Sequence, residues 1–357
     1  MASEDGVTIR AVRYRDLPEL KAMFAYAFSA EYERRGVELT SQFGRWQQVY
    51  PLVRALALFP NPYQYLLNLH VAETAGTVAG FIQTSPGNQS QTRWHIDYLA
   101  VAPSFRGQGI AKALLDYIFA TYAGAGVQSY TLQIDIRNQA GLTLCSHEGF
   151  RPYATVGYYQ ASPDLLSGFT PVTPPAGLRP MRAKDAALLA DLYIASTPAP
   201  VRLVDSRTPA DFEAGLIERS LELWRRRMRE CEESRYVVEG PGRSLVGYLR
   251  VLAQFRSDTA PHTLQLTVHP GYPDLARELL AFALGKLRGY PPGAALTWCM
   301  QYHPHKRQAF EAAGLQLVTE DVCLVKDGAI TLELPVSSHK PDEMPAFKPA
   351  FCERSPR

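Results

Sequence analysis

The sequence predicts a mixed α+β protein (mixed α/β) built from two similar domains. Each domain is expected to have a central, mostly antiparallel sheet flanked by helices. Three observations support this prediction: the length of 357 residues, the alternation of strand-like and helix-like segments, and a second half that repeats the landmarks of the first. Because a domain usually spans on the order of 150 residues, the chain is long enough for two domains.

The repeated landmarks occur in the same order and at nearly constant spacing. They are a short strand before a helix, a strand-turn-strand hairpin, a valine two residues before a proline, and a glycine after a helix. Their positions are 9–16 and 178–185, 71–81 and 237–248, 101–103 and 268–270, and 148–150 and 313–315. From this repeat we predict a first domain over residues 1–160 and a second, degenerate domain over 178–335. A proline-rich linker over 161–177 and a polar tail over 336–357 complete the layout.

The first domain can be assigned element by element. A strand near Ile9 precedes a helix, for which Asp16 and Glu19 have the spacing of a capping box. A β-rich alternating segment ends near Val101, and apolar residues at helical spacing follow from Ile110. The next strand ends at Asn138, and a helix separates it from the following landmark. The order is therefore strand, helices, hairpin, strand, helix, strand, helix, strand.

Composition and charge exclude several classes of protein. Nearly half of the residues (46%) are hydrophobic, and 37 basic residues against 35 acidic ones leave a net charge of +2. This balance predicts neither a nucleic-acid partner nor a membrane partner. Five widely spaced cysteines predict no disulfide framework and no metal site, as expected for a reducing, cytoplasmic compartment. No signal peptide or membrane-spanning segment is predicted.

One segment has the pattern of a phosphate-binding turn. Residues Arg106-Gly107-Gln108-Gly109 lie between the strand that ends near Val101 and the helix that begins at Ile110. Glycines let the backbone approach a ligand, and the first amides of a helix lack partners within the helix. Neither the P-loop pattern nor the full dinucleotide-binding pattern is present, so those two folds are disfavoured.

The residues Arg106-Gly107-Gln108-Gly109-Ile110-Ala111 resemble the R/Q-x-x-G-x-G/A signature of the GNAT (GCN5-related) N-acetyltransferases. The strand that ends at Asn138, followed by Gly149-Phe150, resembles the second landmark of that family. The resemblance covers residues 8 to 160, and the second half resembles the same fold. It implies acetyl-CoA as the cofactor, bound by the turn and by the end of the preceding strand. The implied binding residues are Leu99, Ala100, Val101, Arg106, Gly107, Gln108, Gly109, Ile110, Ala111, Lys112 and Asn138.

The family's chemistry is attack of an amine on a thioester, which needs a proton acceptor and a proton donor. His95 and Asp97 occupy positions where the family often carries its base. From the two-residue period, we expect His95, Asp97 and Leu99 to share one face of the strand. The family's usual tyrosine acid is replaced here by Cys145. The proton donor therefore stays open between Cys145, Tyr153, Tyr158, Tyr159 and unassisted departure of the thiolate.

The acceptor is expected to be the primary amine of a small molecule. Its pocket is predicted between Phe24 and Leu67, a stretch dense in aromatic residues that suit a cationic amine or a core. Two alternatives remain: a non-catalytic acyl-CoA-binding or regulatory protein, and a protein lysine or N-terminal acetyltransferase. The chain is expected as a monomer or a homodimer.

The second half lacks the features that bind the cofactor. Its turn is shorter, Pro273 has no amide hydrogen, and Asp274 places an anion where a diphosphate would lie. The positions of the asparagine and the tyrosine are occupied by His303 and Phe310. We therefore expect one acetyl-CoA site per chain and a structural or substrate-gating role for the second half.

Overall fold

The computed structural model describes residues 6–34, 68–88, 90–170, 172–213, 231–256 and 260–328. The helices in these ranges are α1 (Leu17–Arg34), α2 (Ile110–Tyr122), α3 (Gln139–His147), α4 (Pro163–Gly168), α5 (Ala186–Ser196), α6 (Ala199–Val204), α7 (Leu275–Leu287) and α8 (Pro304–Ala312). The strands of the first half are β1 (Val7–Ala11), β2 (Leu69–Thr74), β3 (Thr77–Pro86), β4 (Arg93–Val101), β5 (Ser129–Asp135) and β6 (Arg151–Ala161). Those of the second half are β7 (Leu178–Pro180), β8 (Cys231–Glu239), β9 (Leu245–Gln254), β10 (His262–Val268), β11 (Ala295–Met300) and β12 (Gln316–Asp327).

All of these strands form one continuous sheet in the order β1-β2-β3-β4-β5-β12-β6-β11-β10-β9-β8-β7. The two halves exchange their last strands. Strand β12 of the second half pairs with β5 of the first, whereas β6 of the first half pairs with β11 of the second. The exchanged strands also pair with each other. Each half of the sheet is therefore completed by the other half of the chain.

Two pairs of neighbouring strands run parallel, and both pairs separate soon after they meet. Strand β4 pairs with β5 only through Arg93–His95 and Ser129–Thr131. Strand β10 pairs with β11 only through His262–Thr263 and Ala295–Leu296. All the other pairs in the sheet are antiparallel, as the sequence predicts. The sheet thus contains two equivalent gaps, which we call the β4–β5 opening and the β10–β11 opening.

Hydrophobic cores lie on both faces of the sheet. Helix α2 buries Ile110, Leu114 and Ile118 against one face of the first half, and α1 buries Leu20 and Phe24 against the other. In the second half, α7 packs its buried leucines against β9 and β10. The helical periodicity that follows the glycine turn therefore corresponds to an apolar stripe that faces the sheet.

An ion-pair network at the start of each half repeats with the same geometry. The guanidinium of Arg10 binds the buried carboxylate of Asp16 and also Glu73, while the Arg13 amide donates to Asp16 Oδ2 at 2.7 Å. Arg179, Asp185, Glu239 and the Arg182 amide form the equivalent network. Asp16 thus accepts a hydrogen bond from a backbone amide of the turn before α1. The predicted capping box instead paired Asp16 with Glu19. The internal repeat extends to these polar contacts.

The predicted linker contains structure. Strand β6 reaches Ala161, and α4 follows with Leu166 buried in the core of the second half. The predicted tail over 336–357 lies outside the described residues. None of the helices in the described ranges is long and apolar enough to cross a membrane.

Candidate active site

The glycine turn connects β4 to α2 at the edge of the β4–β5 opening. Gly107 and Gly109 have φ angles of +74° and +76°, a region that side chains strain to adopt. A Cβ atom at either position would meet nothing within 4 Å. Gly109 is the N-cap of α2 and supplies no side chain to cap the first amides, which leaves them for a ligand. This geometry suits an anion at the helix N-terminus.

The other residues of the turn anchor it to the protein. The Arg106 guanidinium lies over the ring of Tyr26 on α1, and its Nε donates to the Val101 carbonyl at 3.5 Å. Gln108 donates to the Ser104 carbonyl. Ile110 is buried and Ala111 is half-buried at the start of α2, so any ligand contact from these two comes through their backbone. Lys112 is exposed and forms ion pairs with Asp116 and Glu148.

A β-bulge in β4 changes which side chains share a face. Asp97 has no register partner on β3, because Tyr98 pairs with Gln83 and Ile96 pairs with Thr84. Leu99 consequently packs with Ile96 in the core that contains α2, whereas Tyr98 and Ala100 pack in the core that contains α1. The expectation that Leu99 shares a face with His95 and Asp97 is therefore wrong, since a bulge shifts the two-residue alternation.

His95 and Asp97 remain on the same face. Ser85 pairs with His95 in the register and donates from Oγ to Asp97 Oδ1 at 2.9 Å. The other carboxylate oxygen of Asp97 is buried and has no hydrogen-bond partner among the described residues. Burial raises the pKa of Asp97 to about 6, and the bond from Ser85 limits that rise. Asp97 is thus largely ionised at neutral pH and retains a free acceptor oxygen.

The surroundings of His95 lower its pKa, whereas those of Asp97 raise the pKa of the carboxylate. Burial and the nearby positive charge of Arg93 lower the pKa of His95 to about 4. Its Nδ1 lies 3.0 Å from Thr131 Oγ1, on the last residue of β5 that pairs with β4. His95 is therefore neutral at pH 7, and its tendency to accept a proton is weak.

Asn138 and Cys145 lie on α3, beyond the end of β5. Asn138 is the N-cap of this helix and its side chain accepts from the Gly141 amide at 3.0 Å. Cys145 is buried in the core that contains α2. Burial raises the pKa of its thiol to about 11, so the thiol is protonated at neutral pH. Its role as a proton donor stays a prediction, and its position is that of a packing residue.

The three tyrosines proposed as alternative proton donors point to different places. Tyr159 is fully buried and packs against Phe310 in the core of the second half. Tyr153 hydrogen-bonds the thiol of Cys323, and burial raises its pKa well above the usual range. The Tyr158 hydroxyl donates to Gln133 Oε1 at 2.8 Å. Gln133 lies where β5 has already separated from β4, so this bond brings the Tyr158 hydroxyl to the part of β5 that borders the β4–β5 opening.

Part of the predicted acceptor pocket can be located. Phe24 and Phe28 of α1 pack against Tyr98, with ring centroids 4.8 and 5.3 Å apart. These aromatic residues lie on the face of β4 that also carries His95 and Asp97. Residues 35–67, which hold most of the predicted aromatic lining, lie outside the described residues.

The second half reaches over the start of β4. Arg93 is buried, and its guanidinium donates to the carbonyls of Gly87 and Val204 at 2.6 and 2.9 Å. It also pairs with the carboxylate of Asp205 at 2.8 Å. Because Arg93 is two residues from His95, this contact couples the segment after α6 to the candidate site. Nothing in the local sequence of Arg93 or Ser85 indicates these partners, which come from distant parts of the chain.

Comparisons with known proteins find a family with a similar sequence and solved structures with a similar fold. Residues 37–150 match the sequence profile of the Acetyltransferase (GNAT) family. A mycothiol acetyltransferase of Propionibacterium freudenreichii subsp. shermanii is 31% identical over 93 residues, which are 26% of this chain and 30% of that protein. The match therefore spans less than a third of the relative's length.

Two solved structures share the fold over most of the chain. A GCN5-related N-acetyltransferase from Sphaerobacter thermophilus has 16% sequence identity and a TM-score of 0.56, covering 90% of this chain and 96% of its own. A tandem GNAT protein from the clavulanic acid biosynthesis pathway also has 16% identity and a TM-score of 0.56. That alignment covers 90% of this chain and 98% of the tandem protein. Two GNAT-like units in one chain are therefore a known architecture.

Proposed function

We propose that the chain is an acetyltransferase of the GNAT type, since residues 37–150 match that family, and that it transfers the acetyl group of acetyl-CoA to a primary amine of a small molecule. The observation that carries the proposal is the combination of the β4–β5 opening, the glycine turn at its edge and the partly unpartnered carboxylate of Asp97 on the same strand. The mycothiol acetyltransferase relative supports a small-molecule acceptor.

The residues at the opening fit acetyl-CoA. A diphosphate suits the free amides at the start of α2, because the empty space around Gly107 and Gly109 lets a ligand approach the backbone. The edge of β4 at Leu99–Val101 has no strand partner on the side of β5, so its backbone is available to an extended amide chain. Asn138 lies beyond the end of β5. When bound, acetyl-CoA supplies a thioester whose carbonyl carbon an amine can attack.

In this proposal Asp97 accepts the proton of the attacking amine. A base works best when its pKa lies near the operating pH, and a carboxylate with a pKa of about 6 is closer to that condition than a histidine with a pKa of about 4. Ser85 holds one carboxylate oxygen, which leaves the other to face the acceptor. His95, bonded to Thr131, shapes the same face.

In this proposal Tyr158 is the proton donor for the departing thiolate. Its hydroxyl bonds the exposed Gln133 on β5, whereas the hydroxyl of Tyr153 bonds the buried Cys323 and Tyr159 packs in the core of the second half. Cys145 is buried below α2. Exchange of Tyr158 for Phe should therefore lower turnover, while exchange of Cys145 for Ala should chiefly affect stability.

The experiment is release of free thiol from acetyl-CoA with a panel of small amines, comparing Asp97→Asn and His95→Gln with the parent chain. A true general base contributes about 10²–10⁴-fold, so Asp97→Asn should lower kcat at least 100-fold at unchanged acetyl-CoA affinity. His95→Gln should have the smaller effect. Binding of acetyl-CoA without thiol release for any amine would favour a non-catalytic acyl-CoA-binding protein. Turnover only with peptide amines would favour a protein acetyltransferase.

A further inference from the structure

A side chain of the second half itself lies at the β10–β11 opening. Lys306 on α8 is buried, and its Nζ donates to the carbonyl of Leu266 on β10 at 2.9 Å. Leu266 lies beyond Thr263, the last residue of β10 that pairs with β11. The ammonium group therefore binds the strand that borders the opening, after the strands have separated.

The equivalent position in the first half is Gly141. Helices α3 and α8 are both nine residues long, and their N-caps are Asn138 and His303. Counting from these caps, the third residue is Gly141 in α3 and Lys306 in α8. Because Val101 of the first half corresponds to Val268 of the second, Leu99 corresponds to Leu266. In the second half Lys306 therefore reaches strand β10, whereas the equivalent residue of the first half is Gly141, which has no side chain.

The strand residue that borders the opening is more exposed in the first half than in the second. Leu266 is 1% exposed, whereas Leu99 is only half-buried, and Asn138 is exposed. A Cβ atom built on Gly141 would crowd the Asn138 side chain, with its nearest atom at 3.0 Å. A longer side chain at Gly141 would therefore displace Asn138 and enter the opening. Lys306 also lies near the Phe310 ring, which replaces Cys145 in the second half.

We propose that Lys306 is a built-in occupant of the β10–β11 opening, and that the absence of a side chain at Gly141 keeps the β4–β5 opening free for the arm of an acyl-CoA. The N–H groups of Lys306 satisfy a strand carbonyl that an amide of such a ligand would bind in the first half. The part concerning Gly141 rests on the function proposed for the first half. The part concerning Lys306 does not.

The first test measures acetyl-CoA binding by calorimetry for Gly141→Lys, with Thr143→Lys as the control. Thr143 is exposed on the same helix, so the control adds the same charge outside the opening. We expect one site per chain for the parent and the control, and at least a tenfold loss of affinity for Gly141→Lys with an unchanged circular dichroism spectrum. Parent affinity in Gly141→Lys would overturn the inference. Absence of binding by the parent chain would instead contradict the proposed function.

The second test is independent of activity and of any variant. The native chain is treated with trace acetic anhydride, and the acetylation of each lysine is measured by mass spectrometry. Lys306 should be protected at least tenfold relative to Lys112, which is 57% exposed. Equal reaction of the two amines would show that the β10–β11 opening is accessible, and the proposal would then fail.

Discussion

At the scale of single residues, the bond between Ser85 and Asp97 limits the rise in the pKa of the proposed base. A hydroxyl that donates to a carboxylate stabilises its charged form and lowers its pKa. Burial acts in the opposite direction and dominates. The other titratable groups on this face of β4 in the described part of the chain include His95 and Tyr98, and Arg93 and Asp205 lie near His95. Ser85 is therefore a positioning residue, which acts through Asp97.

Exchange of Ser85 for Ala should shift the pH dependence of turnover. Because Asp97 must be ionised to accept a proton, kcat falls as the pH drops below its pKa of about 6. Loss of the donated bond raises that pKa further, so the acid limb moves to higher pH. Ser85→Thr should restore the parent profile. Ser90→Ala is a suitable control, because Ser90 is exposed and bonds Asn88 instead. If the acid limb of Ser85→Ala does not move while Asp97→Asn is inactive, the positioning role of Ser85 is contradicted. The role of Asp97 as the base is then unaffected.

At the scale of secondary-structure elements, the strand, glycine turn and helix act as one unit. Strand β4 carries the proposed base, and α2, which begins after the glycine turn, presents free amides at its N-terminus. The repeated unit in the second half keeps its strand and helix but begins α7 from Asp274, directly after Pro273. The carboxylate repels anions, and the proline supplies no amide hydrogen.

Exchange of Gly109 for Glu should abolish binding of acetyl-CoA. Its φ of +76° strains any side chain, and the added carboxylate would repel a diphosphate from the α2 amides. Gly124→Glu is the matched control, since Gly124 lies after the other end of α2, where a Cβ atom also meets nothing within 4 Å. Calorimetry should show parent affinity for the control and no measurable binding for Gly109→Glu. Parent affinity in Gly109→Glu would mean that the glycine turn does not bind the diphosphate.

At the scale of the whole molecule, the exchange of β6 and β12 makes the two halves interdependent. Without the second half, β5 and β6 lose the strand between them and expose unpaired backbone edges, which promote aggregation. The buried pair of Arg93 and Asp205 adds a polar contact between the halves. The second half therefore supports the strands of the first half that carry the candidate site.

A fragment of residues 1–170 should not fold alone, whereas residues 1–170 and 172–357 expressed together should form a one-to-one complex. The full chain cleaved at residue 171 is the control, because it retains all the strands. Size-exclusion chromatography and circular dichroism report assembly and folding. A monomeric, folded 1–170 fragment that binds acetyl-CoA would show that β12 is dispensable for the first half.

Local features of the sequence determined much of this protein. The internal repeat, the strand and helix around Arg106–Gly109 and the mixed α+β class follow from periodicity, glycine positions and family landmarks. These signals are readable because hydrophobic spacing and backbone preferences act over a few residues. The family resemblance also indicated His95 and Asp97 on the strand before the turn, and their role in proton transfer stays a prediction.

Only the tertiary structure decided which partners these residues meet. The bulge at Asp97 moves Leu99 to the opposite face, Ser85 reaches Asp97 from β3, and Lys306 reaches Leu266 from α8. The exchange of β6 and β12 changes the division into two independent sheets that the repeat suggests. Each of these contacts joins residues far apart in the chain, and strand register and side-chain reach across the sheet set them. Local sequence patterns do not encode such contacts, because hydrogen bonding and packing select them only when the sheet assembles.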